Sequence, residues 1–108
     1  MSAYEIAQLL EQGKQSKRAY LEFLRVPALS AGVYELPAGG VDPQRPHAED
    51  EIYYVVKGRG RVQAGAEDRA VAPGTVVFVK AGIEHRFHTI TEDLTLLVVF
   101  APAETLGS

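Results

Sequence analysis

The chain has 108 residues, the length of one domain, and a chain of this size buries about 65% of its unfolded surface. Eleven basic against fourteen acidic side chains leave a net charge of −3, and with no long basic run the composition argues against nucleic acid as a partner. No stretch approaches the roughly 18 apolar residues of a membrane span, and the lack of cysteine removes disulfides, thiol nucleophiles and thiolate metal sites, with the cytoplasm as the expected compartment.

The N-terminal stretch MSAYEIAQLLEQG has no charged leader before an apolar block, so it does not read as a signal peptide. Ser2 followed by Glu5 has the pattern of a capping box, and Ala3, Ile6, Leu9 and Leu10 recur at helical spacing. This predicts a short amphipathic helix over about residues 3–12, stopped at Gly13. GKQSKR reads as a solvated basic linker.

Beyond it the period becomes strand-like. Strands are predicted over 19–26, ended by Pro27, and over 29–36, ended by the turn residues PAGG. Residues 52–56 are β-branched and aromatic, as strands are. The glycines of KGRGR are read as a turn from which 61–64 returns, with the basic row Lys57, Arg59 and Arg61 at a solvated hairpin tip rather than around a phosphate. Residues 65–68 are read as another turn, and Pro73-Gly74 suits the centre of a type II turn. Strands over 76–79, 85–90 and 94–100 complete an all-β domain, a sandwich or barrel with one helix outside.

Chemistry concentrates at two imidazoles and a carboxylate near predicted strand mouths: His47, Glu51 and His85. Glu51 belongs to the charge run Glu49-Asp50-Glu51, but an apolar strand starts at the next residue, which lets Glu51 point inward. His47 and Glu51 have like parity and share a face if the strand reaches both. His88, three residues past His85, has the wrong parity and is read as an outward or interface histidine. Tyr53, Phe78, Phe87 and Phe100 are candidates for a pocket lining, with core packing accounting for most of them. No phosphate loop, nucleophile elbow or dinucleotide fingerprint is present.

These residues resemble the motifs of the cupin family. Gly39, five residues, Arg45, Pro46, His47, three residues, Glu51, six residues and Gly58 follow the first motif, except that Arg45 stands where a histidine is expected. Gly74, Gly82 and His85 follow the second, with Lys80 in place of its proline and Thr89 in place of its asparagine. The resemblance implies a small single-domain cupin over 1–108, with an N-terminal helix at 1–13 and a jelly-roll β-barrel at 18–101. It also implies a divalent metal ion on His47, Glu51 and His85, with iron, manganese, nickel and zinc all compatible with the donors.

Arg45 cannot replace the fourth ligand, because a guanidinium has no lone pair to donate. Gln44 offers a carbonyl oxygen if the turn shifts by one residue. An inward Arg45 would suit a substrate carboxylate or phosphate; the outward placement, beside Glu49 and Asp50, is the reading preferred. Two histidines and a carboxylate form the donor set of non-haem iron oxygenases and also of catalytic zinc sites. The expectation is therefore a metal-binding cupin, either a metal-dependent enzyme of oxygenase or isomerase type acting on a small molecule or a non-catalytic ligand- or metal-binding module. A bland alternative makes the three residues hydrogen-bonded core groups of a barrel that has lost its metal. The apolar helix and first strand (Ile6, Leu9, Leu10, Leu21, Phe23), together with family habit, lead to an expected homodimer.

Overall fold

A computed structural model describes residues 1–105. Helix α1 runs Ile6–Ser16, followed by β1 Tyr20–Val26, β2 Leu29–Leu36, β3 Asp50–Ala64, β4 Glu67–Val71, β5 Val76–Val79 and β6 His85–Ala101. All pairings are antiparallel, in the order β1-β2-β6-β3-β4, with β5 on β3. The fold is an all-β jelly roll with one short helix. Its two long strands each serve both layers. The first part of β3 lies between β5 and the end of β6, and its last part between β4 and the start of β6.

The helix starts and ends later than its local pattern indicates. Glu5 is its N-cap and makes no side-chain capping bond, so the Ser2–Glu5 capping box does not form. Gly13 is buried inside the helix rather than ending it. A Cβ there would meet Glu35 Oε1 at 3.8 Å, an ordinary contact. The helix ends at Lys17, which takes the left-handed conformation (φ 57°), and most of the supposed basic linker is helical.

KGRGR is not a turn. Residues 50–64 form one strand, with register shifts between Val55 and Arg61. Gly58 (φ +97°) lies against the Asp93 carbonyl, where any Cβ would overlap it. The glycines allow β3 and β6 to bend together from one layer into the other, as bulges do. For the same reason 85–90 and 94–100 are halves of a single strand. The row Lys57, Arg59 and Arg61 lies along β3, where Arg59 pairs with Glu92 and Arg61 with Asp68. The turn expected over 65–68 shrinks to Gly65-Ala66, and exposed polar residues begin β4, which hydrophobic periodicity does not reveal. The Pro73-Gly74 turn forms, with Gly74 at φ +94° and Thr75 N–H donating to the Ala72 carbonyl at 3.0 Å.

Alternation on β3 sets the site. Glu51, Tyr53 and Val55 are buried, while Asp50, Ile52 and Tyr54 face out. Behind Tyr53 the core fills with Phe87, Leu94, Leu96 and Val98, Phe87 meeting the Tyr53 ring edge-on at 4.9 Å between centroids. Gly32 on β2 leaves room for the Tyr20 ring, which a Cβ would strike. Among the described residues no helix is long and apolar enough to cross a membrane.

Candidate metal centre

The structure brings His47, Glu51 and His85 together: one donor atom from each lies within 4.8 Å of the others. They arrive from three places. Glu51 is on the inward face of β3, and His85 opens β6. His47 lies in the loop before β3, so strand parity does not position it. Its backbone does: the Gly82 N–H donates to the His47 carbonyl at 2.8 Å, joining the two histidine-bearing loops. The His47 ring then packs edge-on against Phe100 at 4.9 Å.

His85 is buried and has one ring nitrogen committed. Nδ1 lies 2.9 Å from the Ile83 carbonyl, to which only an N–H can donate, so Nε2 faces inward. Nε2 is 3.0 Å from Glu51 Oε1 and 3.0 Å from the Tyr53 hydroxyl. Burial opposes a charge on His85, but the Glu51 carboxylate and the Ile83 carbonyl outweigh it and raise its pKa. Neither Glu51 oxygen has a well-directed hydrogen bond among the described residues, despite the short approach to His85. A buried carboxylate left this way is costly unless a cation compensates it.

The groups around the three were less visible in sequence. Asp42 is buried and accepts from the Tyr34 hydroxyl (2.8 Å), the Phe87 N–H (2.9 Å) and the Gln44 amide (2.7 Å). Burial, then the Asp42 charge, pushes the Tyr34 hydroxyl well above its usual pKa. Burial and the Glu51 charge do the same to Tyr53. Glu104, past the end of β6, places Oε2 3.3 Å from His47 Nδ1. Its pKa is raised to about 7 by burial and then by the charges of Glu51, Glu49 and Glu22. Its segment is tied down by Arg25, which donates to the Glu104 carbonyl at 2.7 Å, and by the Glu104 N–H, which donates to Ser30 Oγ at 2.8 Å. Asp42 sits in a stretch that reads as a plain turn, and Glu104 follows the last predicted strand, so neither carried a signal.

Arg45 is exposed, as expected, but the ion pair with Glu49 or Asp50 does not form. Glu49 is buried and accepts from Thr105 Oγ1 at 2.7 Å, and Asp50 accepts from the Ala81 N–H at 2.8 Å. Arg45 instead borders the mouth of a cavity of about 280 Å3 whose depths hold His47 and Glu51 and whose walls include Tyr34, Val98 and Phe100. Of the other aromatic candidates, Tyr53 and Phe100 line this cavity, Phe87 is in the core and Phe78 is exposed on the outside. His88 faces outward, Nε2 2.7 Å from Asp68.

The family model for the cupin domain matches residues 32–100, which takes in both halves of this site. The chain belongs to the cupin family. SCO3923, an uncharacterized protein of Streptomyces coelicolor, is 48% identical to this cupin over 105 residues, covering 97% of this chain and all of that one. Among solved structures, TT1209 of Thermus thermophilus superposes with a TM-score of 0.77 at 24% identity, covering 95% of this cupin and 99% of its own chain. DMSP lyase DddQ of Ruegeria pomeroyi gives 0.71 at 24% identity, covering 89% of this cupin and 52% of its own chain. At these identities the two structures show a shared fold.

The donor set fits a metal ion on the chemistry of its atoms. His85 offers its inward ring nitrogen and Glu51 an under-bonded carboxylate. Their 3.0 Å separation is that of neighbouring donors around an ion with bonds of about 2.1 Å.

Proposed function

We propose that this cupin holds one divalent metal ion on His47, Glu51 and His85 and uses it on a small molecule admitted through the cavity, as a metal-dependent enzyme of oxygenase or isomerase type. The observation that carries this reading is the convergence of the three donors around a Glu51 carboxylate without directed hydrogen bonds, next to a cavity large enough for a small ligand. Bound there, a divalent ion supplies Lewis-acid polarisation and, if it is iron or manganese, access to redox chemistry.

The chain's own residues do the rest. Ile83 holds the His85 ring by its Nδ1–H, the arrangement that orients metal-binding histidines. Tyr34, Val98 and Phe100 form walls of the cavity beside the donors. The Tyr20 hydroxyl also faces the cavity without a hydrogen-bond partner among the described residues, so a donor is available to orient a ligand. DMSP lyase DddQ, which shares the fold, supports an enzyme as one use of this architecture.

The test is elemental analysis of protein purified from metal-supplemented medium, followed by titration with manganese, iron(II), nickel and zinc. The expected result is one ion per chain, lost in His85→Ala. A wild type that neither carries nor takes up metal overturns the reading. Oxygen-consumption and isomerisation screens on the loaded protein then separate an enzyme from a non-catalytic binder.

The same proposal places the protein in the cytoplasm, supported by its lack of cysteine, and as a homodimer. Of the helix and first-strand residues, Leu9 is buried and Leu21 and Phe23 are partly covered within the chain. The open apolar face is on β3 and β5, where Ile52 sits opposite Phe78 and Tyr54 opposite Val76, all four exposed. A second copy with the same face is the self-complementary occupant of such a patch.

A further inference from the structure

One more oxygen reaches the cluster from outside the ligand set named above. Gln44 Oε1 lies 3.3 Å from His47 Nε2 and accepts from the Tyr53 hydroxyl at 2.6 Å. That hydroxyl is in turn 3.0 Å from His85 Nε2. The orientation of the Gln44 amide is set from behind. Its nitrogen donates to Asp42 Oδ2 at 2.7 Å, and a carboxylate in that position accepts only. Asp42 is itself held by Tyr34 on β2 and by the Phe87 N–H on β6. With the nitrogen pinned to Asp42, the oxygen must face His47 and Tyr53.

We propose that Gln44 Oε1 is a fourth ligand to the metal ion, taking the role that the motif gives to the residue at position 45. The inference rests on His47, Glu51 and His85 being ligands. A carbonyl oxygen has two lone pairs. The Tyr53 hydroxyl uses one, and the other is available to an ion in the His47 tautomer whose Nε2 carries no proton. The 3.3 Å separation from His47 Nε2 is close to the 3.0 Å between His85 Nε2 and Glu51 Oε1, so the oxygen is spaced from its neighbour as those two donors are. Being neutral, the amide adds a donor without adding charge to a pocket that already holds Glu51 and Glu104. Arg45, one residue on, is exposed and has nothing to donate to a cation.

The test compares wild type with Gln44→Ala, Gln44→Leu and Gln44→Glu, titrated with manganese(II) against a chromophoric chelator and with cobalt(II) followed by its visible absorption. Gln44→Ala and Gln44→Leu should weaken manganese binding by about tenfold or more and change the cobalt spectrum. Gln44→Glu keeps an oxygen donor at the same reach, although it sets a second carboxylate against Asp42, and should bind manganese more tightly than either donor-free variant. Gln44→Leu fills the volume that Ala vacates, so a folding failure of Gln44→Ala leaves the comparison intact, and melting curves of the metal-free proteins verify the fold. If both donor-free variants bind manganese as wild type does and give the same cobalt spectrum, Gln44 merely bridges Asp42 and Tyr53 and the proposal is wrong, while the three-residue site stands. If wild type takes up neither ion, both readings fail together.

Discussion

Gly82 and His47 are joined by one backbone hydrogen bond, N–H to carbonyl at 2.8 Å, so the loop leading to His85 clasps the loop that carries His47. Gly82 sits at φ +79° with nothing within 4 Å of where a Cβ would be. Gly82→Ala should therefore cost only backbone strain, about 1 kcal/mol, with weaker metal binding as the clasp shifts. Gly58 has a similar φ, but its Cβ would overlap the Asp93 carbonyl. Gly58→Ala should cost more than about 3 kcal/mol, because β6 itself must move. Urea midpoints of the two variants provide the comparison, and equal losses would refute the distinction.

Position 45 faces the cavity mouth while Gln44 faces the cluster. Arg45→His should accordingly leave metal affinity nearly unchanged, apart from the small gain of removing an exposed, screened positive charge. Competition titration with manganese(II) measures it. A pronounced tightening would mean that position 45 turns inward and that the loop from Asp42 to Pro46 follows a different path.

The β3–β5 face predicts association. Val76 and Phe78 are 62% and 61% exposed, more than a large apolar side chain needs to be. Phe78→Ser should convert a dimer to a monomer without altering its circular dichroism. Sedimentation velocity at tens of micromolar, within reach of ordinary interfaces, is the measurement, and a monomeric wild type at that concentration would rule the dimer out.

Asp68 on β4 supplies a pH dependence remote from the His47, Glu51 and His85 cluster. Desolvation opposes its ionisation, but hydrogen bonds from Arg61 (2.8 Å) and His88 (2.7 Å) overcome that and hold its pKa below the usual 3.8. The native state then binds fewer protons than the unfolded chain as the pH falls past about 4, so the stabilisation is complete above that pH and is lost through the folded pKa. Asp68→Asn should lower the urea midpoint at pH 6 and flatten the acid limb below pH 4. An acid limb as steep as that of wild type would show that Asp68 contributes nothing to it.

Much of this architecture was legible locally. Residues 29–36 and 76–79 read as strands because they are bounded by turn formers, and the structure places β2 and β5 at those bounds. The inward face of Glu51 and the outward face of His88 follow from the two-residue period. Local reading failed where a residue's role depends on a distant partner. Gly58 and Gly60 look like a turn until β6 lies against them, with Asp93 and Ile90 at their backbones. Gly13 looks like a helix stop but is buried within α1. The choice between Gln44 and Arg45 is made by Asp42, and Asp42 is held by Tyr34 and Phe87 from two different strands. Glu104 meets His47 from 57 residues along the chain, its segment fixed by Arg25 and Ser30. Sequence alone determined which residue types recur at which spacing, and with them most of the strands, the fold family and the three candidate ligands. Which neighbouring side chains turn toward those ligands was decided by tertiary packing, because a buried polar group takes its orientation from whichever partners the folded barrel brings within hydrogen-bond reach.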